Sequence, residues 1–472
     1  MLFNSTEFLI FFGLFLILYW LVRGSLRYRN GLILGASYWF YGSWDVRFLG
    51  LLLFSSGFDY WVAGRLDACS SPRGRKALLL GSVLVNLGIL FTFKYFGFFR
   101  ESLALLLARM GVDVAWNPIL LTLPVGISFY TFQSLGYAID VFHRRVKPER
   151  DVVAFLSYVA FFPQLVAGPI ERATHLLPQF KSARRIDAES FHDGFTLMLV
   201  GLFKKVCLAD NLAPMVSLVF ERSPELSLPL LVMGGLAFGL QIYCDFAGYS
   251  DVARGAARML GFDLRLNFRL PYLACDLQDF WRRWHISLSS WLRDYVYIPL
   301  GGNRGGHSRT AVNLLVVMFL GGLWHGASAN FALWGFWHGA GLVVVFYWLR
   351  DRRPEAGKGR PLWRRLVAWG ATFLFVSIGW VLFRANSPEL LWKCFAGLPN
   401  WTVPRWAITY LRNLTVLGLP LLVLEIWQVR ARSMEPWCRL KEGWRAMFAA
   451  LLMLLVGAYW NEEAPEFIYF QF

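Results

Sequence analysis

The chain is 472 residues long, 57% hydrophobic and 17% aromatic, with only 17% charged residues and 22 tryptophans. Soluble proteins are about half apolar and a quarter charged, and no stretch here is polar enough to coat a soluble domain. A soluble enzyme, a disordered scaffold and a nucleic-acid reader are therefore excluded. The net charge of +16 falls in short Lys/Arg clusters between apolar runs, as in loops facing an anionic cytoplasmic leaflet, so the primary partner is the lipid bilayer.

The first apolar run, Phe8–Val22, has no Lys or Arg before it and Arg23, Arg27 and Arg29 after it. This predicts a retained helix with its N-terminus outside, not a cleaved signal. Runs of spanning length follow near 31–43, 47–64, 77–93 and 118–141. The clusters at 23–29, 65–76 and 144–150 then share one side, and the turn Gly42–Asp45 takes the other. Segment 94–117, with Lys94, Arg100 and Arg109, is expected along the outer interface. Segment 152–169 is apolar but has cations at both ends. Its Pro163, Gly168 and Pro169 break helices, so it reads as a re-entrant or broken segment.

Runs near 191–209 and 226–244 cross again. Residues 245–310 form the longest polar stretch, rich in arginine and aromatic rings, and read as a cytoplasm-facing re-entrant or amphipathic region. The runs 311–330, 331–349, 367–384, 407–429 and 446–460 then alternate, with the 350–366 and 430–445 loops inside and the acidic Glu462, Glu463 and Glu466 outside. Twelve crossings with both termini outside fit every strong cluster. The whole chain, 1–472, reads as one all-α integral membrane domain. No repeat of 20–50 residues is present, which excludes a solenoid, and the six scattered cysteines give no disulfide framework.

Of seven histidines, His143, His175 and His192 lie near basic interfacial segments and read as solvated, and His307 falls in a glycine-rich turn. His325 is different. It sits in the apolar Phe319-Leu320-Gly321-Gly322-Leu323-Trp324-His325-Gly326-Ala327, and intramembrane ionisable groups are functional candidates by default. With the helix entering near Ala311, His325 lies roughly 21 Å along it at ~1.5 Å per residue, past the middle of a ~30 Å core. The flanking glycines are expected to leave room for an approaching group. The alternative is a core histidine bonded to a neighbouring helix. His285 follows Trp281, Arg282, Arg283 and Trp284. A helix over 279–300 would align Trp281, Trp284, Leu288 and Trp291/Leu292 in one stripe, an interfacial anchor that leaves the histidine unexplained. No carboxylate or thiolate stands at ligand spacing from either histidine, so no metal site is expected.

Several stretches resemble the membrane-bound O-acyltransferase superfamily, and within it the bacterial alginate O-acetyltransferase group. They are Phe129–Tyr137, Phe161–Pro169, Tyr243–Asp251, Asp279–Arg304, Gly322–Ala327 and Phe467–Phe472. The pair formed by Trp281–His285 and Leu323–Gly326 is the most specific. The resemblance implies a ring of about 10–12 tilted helices with re-entrant segments and a cytoplasmic funnel, the helices of 311–349 carrying the catalytic histidine. In that picture His325 is catalytic and His285 assists, with one histidine opening to the cytoplasm and the other deep and reachable from outside. Trp281, Arg282, Trp284, Arg293, Asp294 and Trp324 are candidate donor- or substrate-binding residues. No tightly bound cofactor is implied; the donor is acetyl-CoA or another acyl thioester. Arg282, Arg283, Arg293, Arg304 and Arg309 can hold the phosphates of such a donor or contact lipid headgroups. A dry site keeps His325 neutral, as a general base requires. The implied setting is the bacterial inner membrane, within an exopolysaccharide synthesis or secretion complex. The acyl group passes to a periplasmic or membrane-anchored SGNH-type acetyltransferase, and the acceptor is alginate, cellulose or peptidoglycan. A transporter or flippase is the competing class, but paired broken helices in two related halves are not found.

Overall fold

The computed structural model describes residues 1–112, 122–166, 168–184, 187–223, 225–350, 361–461 and 467–470, all helix, turn or extended linker with no strand among them. The acidic positions Glu462, Glu463 and Glu466, and residues 351–360 of the expected inside loop, lie outside the described residues. The chain forms two compact units, Met1–Gly194 with Ala253–Arg265, and Phe195–Val252 with Leu266–Phe472.

In the first unit, α1 (Thr6–Leu21), α2 (Leu26–Gly42) and α3 (Val46–Ala68) each start on a side-chain cap, Ser5, Ser25 and Asp45 accepting the N–H of Phe8, Tyr28 and Arg47. Such caps satisfy donors that a helix start leaves open. The α4 helix (Pro72–Leu90) runs through a π-turn, Phe91–Tyr95, into α5 (Phe96–Arg109), a continuous 38 residues. Residues 94–109, expected along the interface, thus extend a spanning helix. Some interior polar groups join helices. The buried Asp59 carboxylate of α3 accepts from Ser82 Oγ (2.6 Å) and Asn86 Nδ2 (2.9 Å) of α4, which joins the two helices, since an unpaired group in an apolar interior costs several kcal/mol.

After α6 (Ile127–Phe142), the 152–169 segment is broken as expected, into α7 (Val152–Ala160) and α8 (Phe162–Leu165). Side chains serve the backbone at the break. Phe162 N–H donates to Ser37 Oγ (3.1 Å), and Gln133 Nε2 donates to the Tyr158 carbonyl (2.6 Å). Irregular backbone at membrane depth is tolerated where protein buries it. Gly126 opens this approach, with φ of 71° and a would-be Cβ only 2.8 Å from the Leu165 carbonyl oxygen. On α9 (Ala173–Lys181), His175 is not simply solvated. Its Nδ1 meets Glu171 Oε2 at 2.9 Å and its Nε2 meets Asp263 Oδ2 at 3.4 Å. These carboxylates, Asp263 foremost, raise its pKa to about 9.

The units exchange within α10 (Ala188–Leu202) and α12 (Leu228–Met259), with α11 (Asp210–Phe220) between. The polar 245–310 stretch therefore starts inside a 32-residue helix. In the second unit Gly201 and Gly248 bring α10 and α12 together, each lacking space for a Cβ (2.5 and 2.7 Å from the other's carbonyl oxygen). Beyond them the helix predicted over 279–300 is two helices, α13 (Leu277–Arg283) and α14 (Ile286–Leu292). The break falls at His285, whose φ is 42°. Backbone bonds to an extended neighbour, Arg269 N to Arg283 O and Ile286 N to Asn267 O (both 2.9 Å), hold it open. The apolar stripe is lost with the helix.

A glycine-rich turn with positive φ at Gly301, Gly302 and Gly306 leads to α15 (His307–His325) and α16 (Ala329–Arg350), an antiparallel hairpin. His307 starts the first of these helices and is not part of the turn. The unit continues with α17 (Leu362–Arg384), α18 (Pro388–Ala396), α19 (Ala407–Ala431) and α20 (Glu442–Tyr459). Among the described residues six helices are individually long and apolar enough to span a bilayer. Other runs read as crossings form shorter helices, such as α1, or carry charge, as α3 does. The protein is an all-α, multi-pass membrane protein.

Candidate active site

All described site residues belong to the second unit. His325 is the last residue of α15, 3% exposed, and Gly326 follows in extended conformation. The helix starts at His307, four residues before Ala311, and His325 stands at its far end. Its imidazole is ringed by Trp324 (centroids 5.1 Å), Trp334 (5.2 Å), Phe383 (5.3 Å) and Tyr469 (5.3 Å). The glycines beside it do not leave open space. A Cβ at Gly326 would enter the Phe331 ring, one at Gly322 would meet the Phe331 carbonyl oxygen, and one at Gly335 would meet that of Met318. They let α15 and α16 touch backbone to backbone.

His285 lies with its ring centroid 6.4 Å from that of His325. It is 0% exposed, so the expectation that it opens to the cytoplasm is corrected. The left-handed backbone at 285 turns the chain out of α13 and into the interior. There Phe246 (4.6 Å, perpendicular) and Trp324 (5.7 Å) pack on the imidazole. Burial pushes its pKa down to about 3, leaving a neutral ring at physiological pH.

Asn267 settles which nitrogen carries the proton. Its Oδ1 accepts from the Ser287 backbone N–H (3.3 Å) and from Ser287 Oγ (3.0 Å), and its Nδ2 donates to Ser250 Oγ (3.2 Å). The amide orientation is fixed by these bonds, so His285 Nδ1, 3.1 Å from the same oxygen, is the donor. The lone pair is then on Nε2, which has no hydrogen-bond partner among the described residues. An acceptor nitrogen thus stands ready inside an aromatic wall.

The sequence-predicted binding residues divide. Trp324 touches both histidines. Trp284 is buried against Trp380 (4.8 Å) and Phe268 (5.0 Å). Trp281 packs on Trp334 (5.7 Å). Arg282 and Arg293 are exposed instead, and Arg293 pairs with its neighbour Asp294 (2.8 Å) at the surface. Their charges are held off the imidazoles because desolvating an unpaired guanidinium is costly.

Three features escaped the sequence reading. His338 of α16 is 0% exposed and packs on Trp334 (4.8 Å) and Trp281 (5.2 Å), with neither ring nitrogen bonded among the described residues. The signal that marked His325, a histidine in an apolar run, also marks His338. Asn267 had no such signal. Nor had the buried ionic group in which Lys205 Nζ meets Asp210 and Asp245 (both 2.8 Å) and Lys204 Nζ meets Asp251 (2.7 Å).

The second unit thus encloses two adjacent imidazoles, one of them with an acceptor nitrogen, within a wall of aromatic rings. The chain belongs to the membrane-bound O-acyltransferase family, whose sequence pattern matches residues 149–383, and it is an O-acyltransferase. It is 40% identical to the probable alginate O-acetylase of Azotobacter vinelandii over 447 residues, 92% of this chain and 86% of that protein. It is 34% identical to the peptidoglycan O-acetyltransferase of Helicobacter pylori over 389 residues, 77% and 72% of the two chains. Against the teichoic acid D-alanyltransferase of Streptococcus thermophilus the identity is 28% over 318 residues, 61% and 74% of the two. These kinships set the transporter reading aside.

Proposed function

We propose that this protein takes an acetyl group from a thioester on the cytoplasmic side of the bacterial inner membrane and sends it to an extracytoplasmic polysaccharide. Alginate is the acceptor most strongly suggested, since it is named for relatives 40% and 41% identical over most of the chain. The observation that carries the reading is the pair of imidazoles 6.4 Å apart within one aromatic enclosure. His325 takes the proton of the attacking hydroxyl. The hydroxyl oxygen bonds to the thioester carbonyl carbon, the carbon–sulfur bond breaks, and the thiolate leaves and recovers the proton. His285, with its lone pair on Nε2, accepts a hydrogen bond from a second donor group of the entering substrate and so orients it, leaving the reacting O–H to His325. Placement of general bases of this kind contributes about 10²–10⁴-fold. A separate SGNH-type acetyltransferase outside the membrane completes delivery, with the N- and C-termini of this chain on that side.

The test is reconstitution in vesicles with labelled acetyl thioester supplied only at the cytoplasmic face. Label is expected to reach alginate when the extracytoplasmic partner is added, and to vanish with His325→Ala while the variant accumulates normally. A His325→Ala protein that transfers label at the parent rate refutes the assignment. Label on the polymer without a partner refutes the relay.

A further inference from the structure

The first unit holds a cavity of about 480 Å³ between the turn that follows α6 and the helix α9. Pockets of roughly 300–1,000 Å³ are the size that takes small ligands. Its lining includes Arg145, Lys147 and Lys181, the hydroxyls of Thr174 and Ser182, and one acid, Glu149. These residues belong to the first unit, whereas the two imidazoles belong to the second.

The walls are set before any ligand arrives. The chain leaves α6 through a left-handed residue, Arg144, with φ of 57°. The Arg145 N–H then donates to the Asp140 carbonyl (2.8 Å), and the Glu149 N–H donates to Tyr137 Oη (2.8 Å). Glu149 Oε1 accepts the N–H groups of Arg150 (2.9 Å) and Asp151 (3.0 Å). Pro148 confines the residue before it, Lys147, to extended backbone. Glu149 Oε2 meets Lys181 Nζ at 3.1 Å, which ties this turn to the last residue of α9. Asp140 of α6 pairs with Arg145 at 3.2 Å.

Charge then decides what the cavity takes. Two of the three lining cations have a carboxylate partner, whereas Lys147 is exposed and has none among the described residues. One uncompensated positive charge remains, beside two hydroxyls that can donate. A singly charged phosphate matches that charge, and its oxygens accept from ammonium and hydroxyl alike. An exposed ion pair alone gains little, so the concave wall with its preset donors is what raises affinity.

We propose that this pocket binds a singly charged phosphate, the group shared by anionic lipid headgroups and the diphosphate of coenzyme A. Both sources are present on the cytoplasmic side, to which the charge pattern assigns the 144–150 cluster.

The experiment is native mass spectrometry of the purified full-length protein in detergent, titrated separately with phosphatidylglycerol, phosphatidylcholine and coenzyme A. Phosphatidylcholine carries the same phosphodiester but neutralises it with a quaternary ammonium. The parent is expected to bind phosphatidylglycerol at least about tenfold more tightly than phosphatidylcholine, which identifies a lipid source, or to bind coenzyme A, which identifies a soluble one. Lys147→Glu should weaken that binding by about tenfold or more, because it reverses the one unmatched charge. Lys147→Arg should retain it. Lys76→Glu is the control, the same change at an exposed cation of α4 outside the pocket, and should leave binding within about twofold. Equal losses in Lys147→Glu and Lys76→Glu overturn the proposal, reducing the effect to general surface charge. Binding untouched by Lys147→Glu overturns it too, as does a parent with neither the lipid preference nor uptake of coenzyme A. The readout is binding in detergent, so His325→Ala should behave as the parent, and failure of the acyl-transfer or sidedness reading leaves the result unchanged.

Discussion

Gly335→Ala isolates the contact on which the chamber depends. In α16 a Cβ at 335 would stand 3.0 Å from Phe319 Cα and 3.1 Å from the Met318 carbonyl carbon, with the Met318 oxygen nearer still. Ordinary contact starts near 3.4 Å, and the neighbours are backbone atoms that cannot rotate away. The helices α15 and α16 must therefore part by roughly 0.5–1 Å, an overpacking cost of about 1–3 kcal/mol. The larger effect is expected on turnover. His325 stands on one helix and Trp334 on the other at 5.2 Å, and a ~1 Å misplacement of reacting groups can cost about 10²-fold. The expected result is a folded protein with acyl transfer reduced by about two orders of magnitude. Thermal unfolding in detergent and thioester turnover measure the two effects. Gly370→Ala in α17, where a Cβ meets nothing within 4 Å, is the control and should gain about 0.5–1 kcal/mol from helix propensity. Parent-like turnover and stability in Gly335→Ala would falsify the backbone-contact argument.

Asn267→Ala should cost about 1–3 kcal/mol by leaving buried donors unpaired and should reduce turnover more than tenfold by freeing the His285 tautomer. Asn267→Asp, which keeps the acceptor oxygen, should recover part of the turnover, and equal loss in both variants would count against a tautomer role. His175 supplies a pH signature in the first unit. Its folded pKa, about 9, lies above the ordinary value of 6.5 because Asp263 and Glu171 accept its hydrogen bonds. The protonated ring therefore favours the folded state fully below pH 6.5, and this contribution is lost as pH rises toward and through 9. Melting temperature measured from pH 6 to 10 should fall across that window in the parent and lose this component in His175→Gln; parallel profiles would rule out the linkage.

The membrane class and the broken 152–169 segment were legible because they rest on composition and on prolines, which act locally. His325 and His285 stood out for the same reason: ionisable or ring-rich positions in apolar surroundings are conspicuous along a line of text. Helix ends and exposure were not. The helix start at His307 moved His325 to a helix end, and the left-handed turn at His285 carried that side chain inward. Both outcomes depend on partners outside the local window, such as the Asn267 carbonyl groups and the Leu300–Asn313 contacts of the preceding turn (Asn313 Nδ2 to Leu300 O, 3.4 Å). Periodicity assigned Trp281, Trp284 and Trp291 to one stripe, and a single backbone torsion cancelled it. The connection in which Asp245 meets Lys205 and accepts the Ile468 N–H (2.7 Å) was the least visible of all, since each residue taken alone is unremarkable and only the fold brings them together.

The bond from Ile468 to Asp245 also imposes an order of assembly. Lys205 and Asp245 leave the ribosome early and can pair while 223 further residues are still to be made. Chains emerge N-terminal part first, at about 5–20 residues per second, so one carboxylate oxygen waits on the order of ten seconds or more for its last donor. Until then Tyr469 is absent and His325 lacks one of its four enclosing rings. The enclosure around the imidazole is therefore a late product of biogenesis, closed by a segment that arrives after every helix described here has been synthesised. A chain released early from the ribosome would carry both histidines yet leave their chamber open to whatever solvent or lipid reaches it.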